Sequence, residues 1–195
     1  MLVAMGAQIE WLTDVGLLLA LEPSAEELAP HVGALVAAYN DPHNARMLGH
    51  TDALDAADVV GHYERLRADG DRGVLLFRDG ALVGDGDLRG VTAGACELAF
   101  LVAAATDQGR GLGTRFALML SALAFAGLGV ERVYASVLPA NAASLRVFEK
   151  LGYTRDPSAE AAEYGDEGDI VLSVSRAALS ARHAAAMAEI RAVVR

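Results

Sequence analysis

The feature that most restricts what this chain can fold into is the heptapeptide Gln108-Gly109-Arg110-Gly111-Leu112-Gly113-Thr114. It follows a strand-like run over residues 96–102 and opens an almost wholly apolar run over residues 111–128, which closes on Gly129. The second run is longer than a typical strand, so it reads as a helix buried against a sheet. A strand that turns through glycines into a helix brings together backbone N–H groups that have no intrahelical partner. With the helix dipole behind them, those groups can cradle a pyrophosphate. A dinucleotide-binding turn needs a further glycine where Thr114 stands, and the downstream acidic residue, Glu131, begins a strand rather than ending one. No G-x-x-x-x-G-K-[ST] run occurs, which argues against a nucleotide-hydrolysing P-loop.

Around this turn the chain mixes strands and helices. Residues 15–21 read as a buried strand stopped by Glu22-Pro23, and Ser24 with Glu27 forms a capping-box pattern for a helix reaching about Tyr39. Residues 40–44 are turn chemistry, and a second helix is expected over 54–67. Residues 73–77 and 81–88 flank Asp79-Gly80 as a β-hairpin, because Asp-Gly readily supplies positive φ. A strand over 132–138 precedes a helix from Asn141 to Leu151, ended by Gly152. After an acidic loop over 160–169 comes a strand at 170–174. The tail, 176–195, carries Leu179, Met187, Ile190 and Val194 at helical spacing and reads as an amphipathic helix.

Composition narrows the function classes. With 53% hydrophobic and 22% charged residues, a chain of 195 residues is expected to fold as one domain. The net charge of -10 disfavours nucleic acid or an anionic membrane as partner, so an anionic ligand needs a local basic site. Residues 108–155 hold six basic and two acidic side chains, a net +4 that leaves -14 for the remainder. Cys96 is the only cysteine, which excludes an internal disulfide and a thiolate zinc cluster and fits a reducing cytoplasm. The start lacks the basic residues of a signal peptide, and 15–21 is too short to span a bilayer, so neither targeting nor insertion is expected.

Residues 108–113 resemble the signature [QR]-x-x-G-x-[GA] of the GNAT acetyltransferase superfamily. The resemblance continues in Asn141-Ala142-Ala143-Ser144, similar to the family's N-x-x-S helix start, and in Leu151-Gly152-Tyr153, similar to its closing L-G-[FY]. Leu21-Glu22-Pro23 and Asp41-Pro42 are similar to the Rim-type branch, which acetylates N-terminal amines of ribosomal proteins. The resemblance implies a mixed, mostly antiparallel, curved sheet flanked by helices on both faces, with the strands around Phe100 and Val137 splayed to admit pantetheine. It makes residues 1–175 the acetyltransferase domain. The tail would pack on that domain or on a second subunit of a homodimer.

Acetyl-CoA is then the co-substrate, with no metal. Its contacts would come from Phe100, Leu101, Val102, Gln108, Gly109, Arg110, Gly111, Leu112, Gly113, Thr114, Asn141, Ser144 and Phe148. Asn141 serves equally as an ordinary helix N-cap. Glu97 aligns with a glutamate common in Rim-type strands and is a candidate general base, its competing role being a solvated strand-start residue. Phe148 stands where a tyrosine often protonates the departing thiolate, so Ser144 becomes the candidate, with Tyr153 behind it. Cys96 reads as a small buried hydrophobe. The histidines show no metal-ligand spacing, although His50 and His62 could line an acceptor pocket.

The expected reaction is direct acetyl transfer to a primary amine of a small molecule or a protein N-terminus. At pH 7 an α-amine of pKa about 8 gives up its proton for roughly 1.4 kcal/mol, whereas a lysine near 10.4 needs roughly 4.6 kcal/mol. The alternative is an inactive acyl-CoA-binding regulatory module.

Overall fold

The computed structural model describes residues 6–193. The chain begins with a hairpin of β1 (Gln8–Thr13) and β2 (Gly16–Leu21), where the sequence suggested a single strand. Trp11 and Ile9 of β1 turn inward, and Thr13 Oγ1 donates to Gly16 O across the turn. The capping box at Ser24 forms as expected, but the helix it starts is broken. Pro30 lies in a 3₁₀ turn, Ala29–His31, that separates α1 (Ala25–Leu28) from α2 (Val32–Tyr39).

The stretch read as a turn is α3 (Pro42–Leu48). Asp41 caps it by accepting from His43 N and Asn44 N, and Pro42 occupies the first helical turn, where a missing N–H does no harm. The next elements are α4 (Ala56–Asp69), β3 (Arg72–Arg78), β4 (Ala81–Arg89) and β5 (Ala95–Val102). At the β3–β4 turn Asp79 and Gly80 both adopt positive φ, 51° and 80°.

The helix α5 (Leu112–Ala122) widens into a π-helical turn, Leu123–Leu128, and leads to β6 (Arg132–Val137). There follow α6 (Ala142–Leu151), β7 (Thr154–Arg155), α7 (Ala159–Ala162) and β8 (Ile170–Ser175). The tail is helical only as α8 (Arg176–Glu189). Ile190 turns extended, and β9 (Arg191–Val193) pairs antiparallel with β1, whose open edge satisfies its backbone groups better than another helical turn would. Val194, part of the expected helical pattern, lies outside the described residues.

The strands form one open sheet in the order β7-β8-β6-β5-β4-β3-β2-β1-β9, antiparallel except between β5 and β6. Strand alternation divides the core. Val74 and Leu76 point to the face packed by α5, α6 and α8, whereas Leu75 and Phe77 point to the face covered by α1, α2 and α4. Leu179 of α8 is wholly buried in the first of these cores. No helix among the described residues is long and apolar enough to cross a membrane.

Candidate active site

The site is built on a gap in the sheet. β5 and β6 pair only at Ala95↔Arg132, Cys96↔Val133 and Glu97↔Tyr134, after which β5 runs on to Val102 and β6 to Val137 without pairing to each other. Peptide groups along a strand face its two neighbours alternately. Ala103 N donates to Val83 O at 2.8 Å, and the carbonyls of Ala99 and Leu101 press on Gly86 and Gly84 of β4. Any side chain at Gly84 would overlap Leu101 O, so close approach requires glycine there. By alternation, the N–H groups of Phe100 and Val102 turn away from β4 into the gap. Val102 O does the same and accepts from Gln108 Nε2 at 3.0 Å.

At the end of β5 the chain enters the glycine turn. Gly109 and Gly111 both adopt left-handed φ, 74° and 79°, and bend the backbone into an anion-binding nest. Gly111 is the N-cap of α5 and supplies no side-chain acceptor, so the first N–H groups of that helix stay open to a ligand. Gln108 also donates to Asn44 Oδ1 at 3.2 Å, and Asn44 in turn donates to Ala38 O and Ala103 O. Asn44 is 3% exposed and ties α2, α3 and the end of β5 to the turn. Sequence reasoning missed it because it lies in the stretch read as loop.

A groove of about 240 Å³ runs from the gap past this turn. Phe100, Leu101 and Val102 line it on the sheet side, and Gln108, Gly109, Gly111, Gly113 and Thr114 line it at the turn. His43, Asn44, Met47 and Leu48 of α3 form one wall, while Asn141, Ser144, Arg146, Val147 and Lys150 form the other. Arg146 and Lys150 place positive charge where the open N–H groups already favour an anion.

Not every residue named from the sequence reaches the groove. Arg110 is exposed beside the turn, and Leu112 is buried beneath it in the core. Phe148 lies under the floor, its ring 5.9 Å from that of Phe100 in a T-shaped contact. Tyr153 is 2% exposed, and its hydroxyl shares a 2.8 Å hydrogen bond with Ser121 Oγ in the core, so the structure does not bring it to the groove. Burial pushes its phenol pKa up. Asn141 Oδ1 accepts from Ser144 N as an N-cap, and its amide donates to Met47 O at 3.1 Å, fastening α6 to α3. Burial pushes the Cys96 thiol up to about 12, which leaves it protonated at neutral pH.

Glu97 lies on the other face of β5 and is not among the groove-lining residues. Arg89 Nε and Nη2 donate to its two carboxylate oxygens at 3.0 and 2.9 Å. Burial raises its pKa, against the opposing pull of Arg89. On the same face, one strand away, stand Asp85 and Asp87 of β4. Tyr39 and Tyr63 both donate to Asp85 Oδ2, at 2.8 and 3.1 Å, and His62 Nε2 lies 3.0 Å from Asp87 Oδ2. Both carboxylates escaped the sequence reading, although Gly84-Asp85-Gly86-Asp87 carries the signal: alternation puts both on one face of a strand.

A parallel pair of strands that separates beside a glycine nest at a helix N-terminus defines a protein that threads an extended, anion-bearing ligand through its sheet. The model of the Acetyltransferase (GNAT) domain matches residues 19–154, and the chain belongs to that family. It is an acyltransferase with acetyl-CoA as co-substrate.

Among solved structures it is similar to Mycobacterium smegmatis RimJ in complex with CoA-disulfide, with 17% identity, TM-score 0.73, and coverage of 94% of this chain and 96% of that one. It is also similar to the aminoglycoside acetyltransferase AAC(6')-Ib in complex with coenzyme A, with 21% identity, TM-score 0.69, and coverage of 84% and 98%. A third is the acetyltransferase from Agrobacterium tumefaciens, with 21% identity, TM-score 0.65, and coverage of 82% and 91%. No curated protein matches the sequence. The residues present fit the co-substrate: the nest and the open α5 N–H groups suit its pyrophosphate, and the unpaired edge of β5 suits the amides of its pantetheine arm.

Proposed function

We propose that this chain transfers the acetyl group of acetyl-CoA directly to a primary amine of a small molecule or a protein N-terminus. The observation that carries this reading is the gap beyond Glu97↔Tyr134, where β5 and β6 cease to pair with each other. The groove lies on the side of the glycine turn, and a polar face with Glu97, Asp85 and Asp87 lies on the other. The amine enters from the polar face and attacks the thioester carbonyl, whose oxygen accepts from N–H groups on the free edge of β5 as it gains charge. The C–S bond breaks, the amine's proton passes to Glu97 through solvent, and the departing thiolate is met by the Ser144 hydroxyl before solvent protonates it. Glu97 remains able to accept because each of its oxygens keeps a lone pair beyond the one used by Arg89. A cytoplasmic setting fits the single, buried thiol.

The test is release of free CoA thiol from acetyl-CoA against a panel of peptides and small amines. Acetyl-CoA at 100 times its Kd should also stabilise the fold by about 2.7 kcal/mol. Tight CoA binding without thiol release on any amine would establish the inactive regulatory module instead.

A further inference from the structure

The polar face opposite the glycine turn holds more unpaired chemistry than a fold needs. Asp85 is 2% exposed, and two tyrosine hydroxyls crowd its Oδ2, yet its Oδ1 has no hydrogen-bond partner among the described residues. Tyr39 also neighbours His50, ring centroids 6.4 Å apart, and both buried ring nitrogens of His50 lack partners among the described residues. His50 follows α3, and its neighbour Gly49 lies against Leu138, at the end of β6 where the gap opens. A buried carboxylate oxygen left unsatisfied is expensive unless something completes it. Both orphaned groups adjoin Tyr39.

Charge supplies the second line of argument. Asp85, Asp87 and Glu97 share one face of β4 and β5 and are opposed by Arg89 and, when protonated, His62. Residues 156–169 cover part of the same side. Tyr164 stacks on Tyr134 at 4.4 Å, and Tyr134 is the register partner of Glu97. That segment contributes Asp156, Glu160, Glu163, Asp166, Glu167 and Asp169 and no basic residue, and of these Asp156 is met by Arg132 Nη1 at 3.6 Å. The face is therefore anionic and selects cations. The nitrogen that attacks the thioester must be uncharged, and the amide it becomes is uncharged too. Attraction that persists through the reaction has to come from a different cationic group on the acceptor.

We propose that this face is the acceptor subsite and that it takes a small oligoamine, one ammonium of which is held at Asp85 Oδ1 while a second nitrogen is acetylated. This rests on the acetyl-transfer reading above and narrows its acceptor. A slender amine suits the site better than a polypeptide because Asp85 lies beneath α2 and α4, behind the two tyrosines. Burial pushes the Asp85 carboxyl up to about 7, and an ammonium beside Oδ1 would favour its charged form.

The experiment uses the full chain with acetyl-CoA and a matched series: 1-aminobutane, 1,4-diaminobutane, spermidine and a short peptide with a basic second residue. Thiol release gives kcat/KM, and calorimetry on the CoA complex gives acceptor binding. The parent should prefer the diamine over the monoamine by about tenfold or more, as expected for one desolvated charge-assisted contact. In Asp85→Asn that ratio should fall to within about threefold while CoA affinity is kept.

Equal kcat/KM for monoamine and diamine in the parent, an unchanged ratio in folded Asp85→Asn, or a peptide outrunning every oligoamine overturns the proposal. Diamine binding that depends on Asp85, with no thiol release from any member of the series, upholds the subsite and overturns the transfer reading. Absence of diamine binding with normal CoA binding overturns the subsite.

Discussion

Asp85→Asn also tests the energetics of the buried carboxylate with no substrate present. Burial is the largest influence on Asp85, outweighing the two tyrosine hydrogen bonds, and it lifts the pKa from 3.8 to about 7. A rise of roughly three units corresponds to at most about 4 kcal/mol between the protonation states. The sign follows from proton counting. Between about pH 4 and pH 7 the folded state keeps a proton that the unfolded chain has released, so stability declines as pH rises through that window and levels off above it. Asparagine cannot titrate and abolishes this contribution. Measured by urea denaturation, the stability of Asp85→Asn relative to the parent should climb by roughly 2–3 kcal/mol from pH 5 to pH 8. For a chain of this length that is a relative melting shift of roughly 5–10 °C. Burying an amide N–H₂ where Oδ1 stood adds an offset independent of pH, so the slope is diagnostic and the intercept is not. The other titratable groups facing the site, Asp87, His62, Tyr39, Tyr63, Glu97 and Arg89, are common to both proteins. Parallel stability curves for the two across pH 5–8 would show that Asp85 titrates as an ordinary carboxylate and would sink the argument.

Ser144→Ala should lower kcat by roughly ten- to a thousand-fold with CoA affinity nearly retained, and full activity would remove Ser144 from the reaction. Gly113→Val should weaken CoA binding and cost about 1–3 kcal/mol, because the first added carbon already lies 3.0 Å from the Phe100 ring; unchanged affinity in calorimetry would refute the place of Gly113 in the groove wall. Tyr153→Phe should cost about 1 kcal/mol through the lost Ser121 contact and leave kcat unaltered, whereas a large fall in kcat would reinstate Tyr153 as an acid. Leu179→Ala should cost about 2–5 kcal/mol in chemical denaturation, since that side chain is wholly buried under α8; a smaller loss would mean α8 is dispensable to the fold.

Local chemistry accounts for what the sequence determined by itself. Asp79-Gly80 sets a turn, Ser24 with Glu27 caps a helix, Asn141 caps another, and glycines at 109 and 111 allow the left-handed bend of the nest; each depends on residues a few positions apart. The same locality explains the errors. Asp41-Pro42 is compatible with either a loop or a helix start, and only packing of Asn44 against Ala38, Ala103 and Gln108 decides for the helix. Residues 190–193 continue a helical pattern in the sequence, but the free edge of β1, far away along the chain, draws 191–193 into the sheet. Tyr153 and Ser121 meet only once α5 and α6 pack together, which turns a candidate acid into a core residue. The polar face has the same origin: Asp85 joins Tyr39 and Tyr63 across intervals of 46 and 22 residues. No local pattern can report which carboxylate oxygen such a meeting leaves unpaired, because burial and partnership are properties of the assembled sheet and its covering helices.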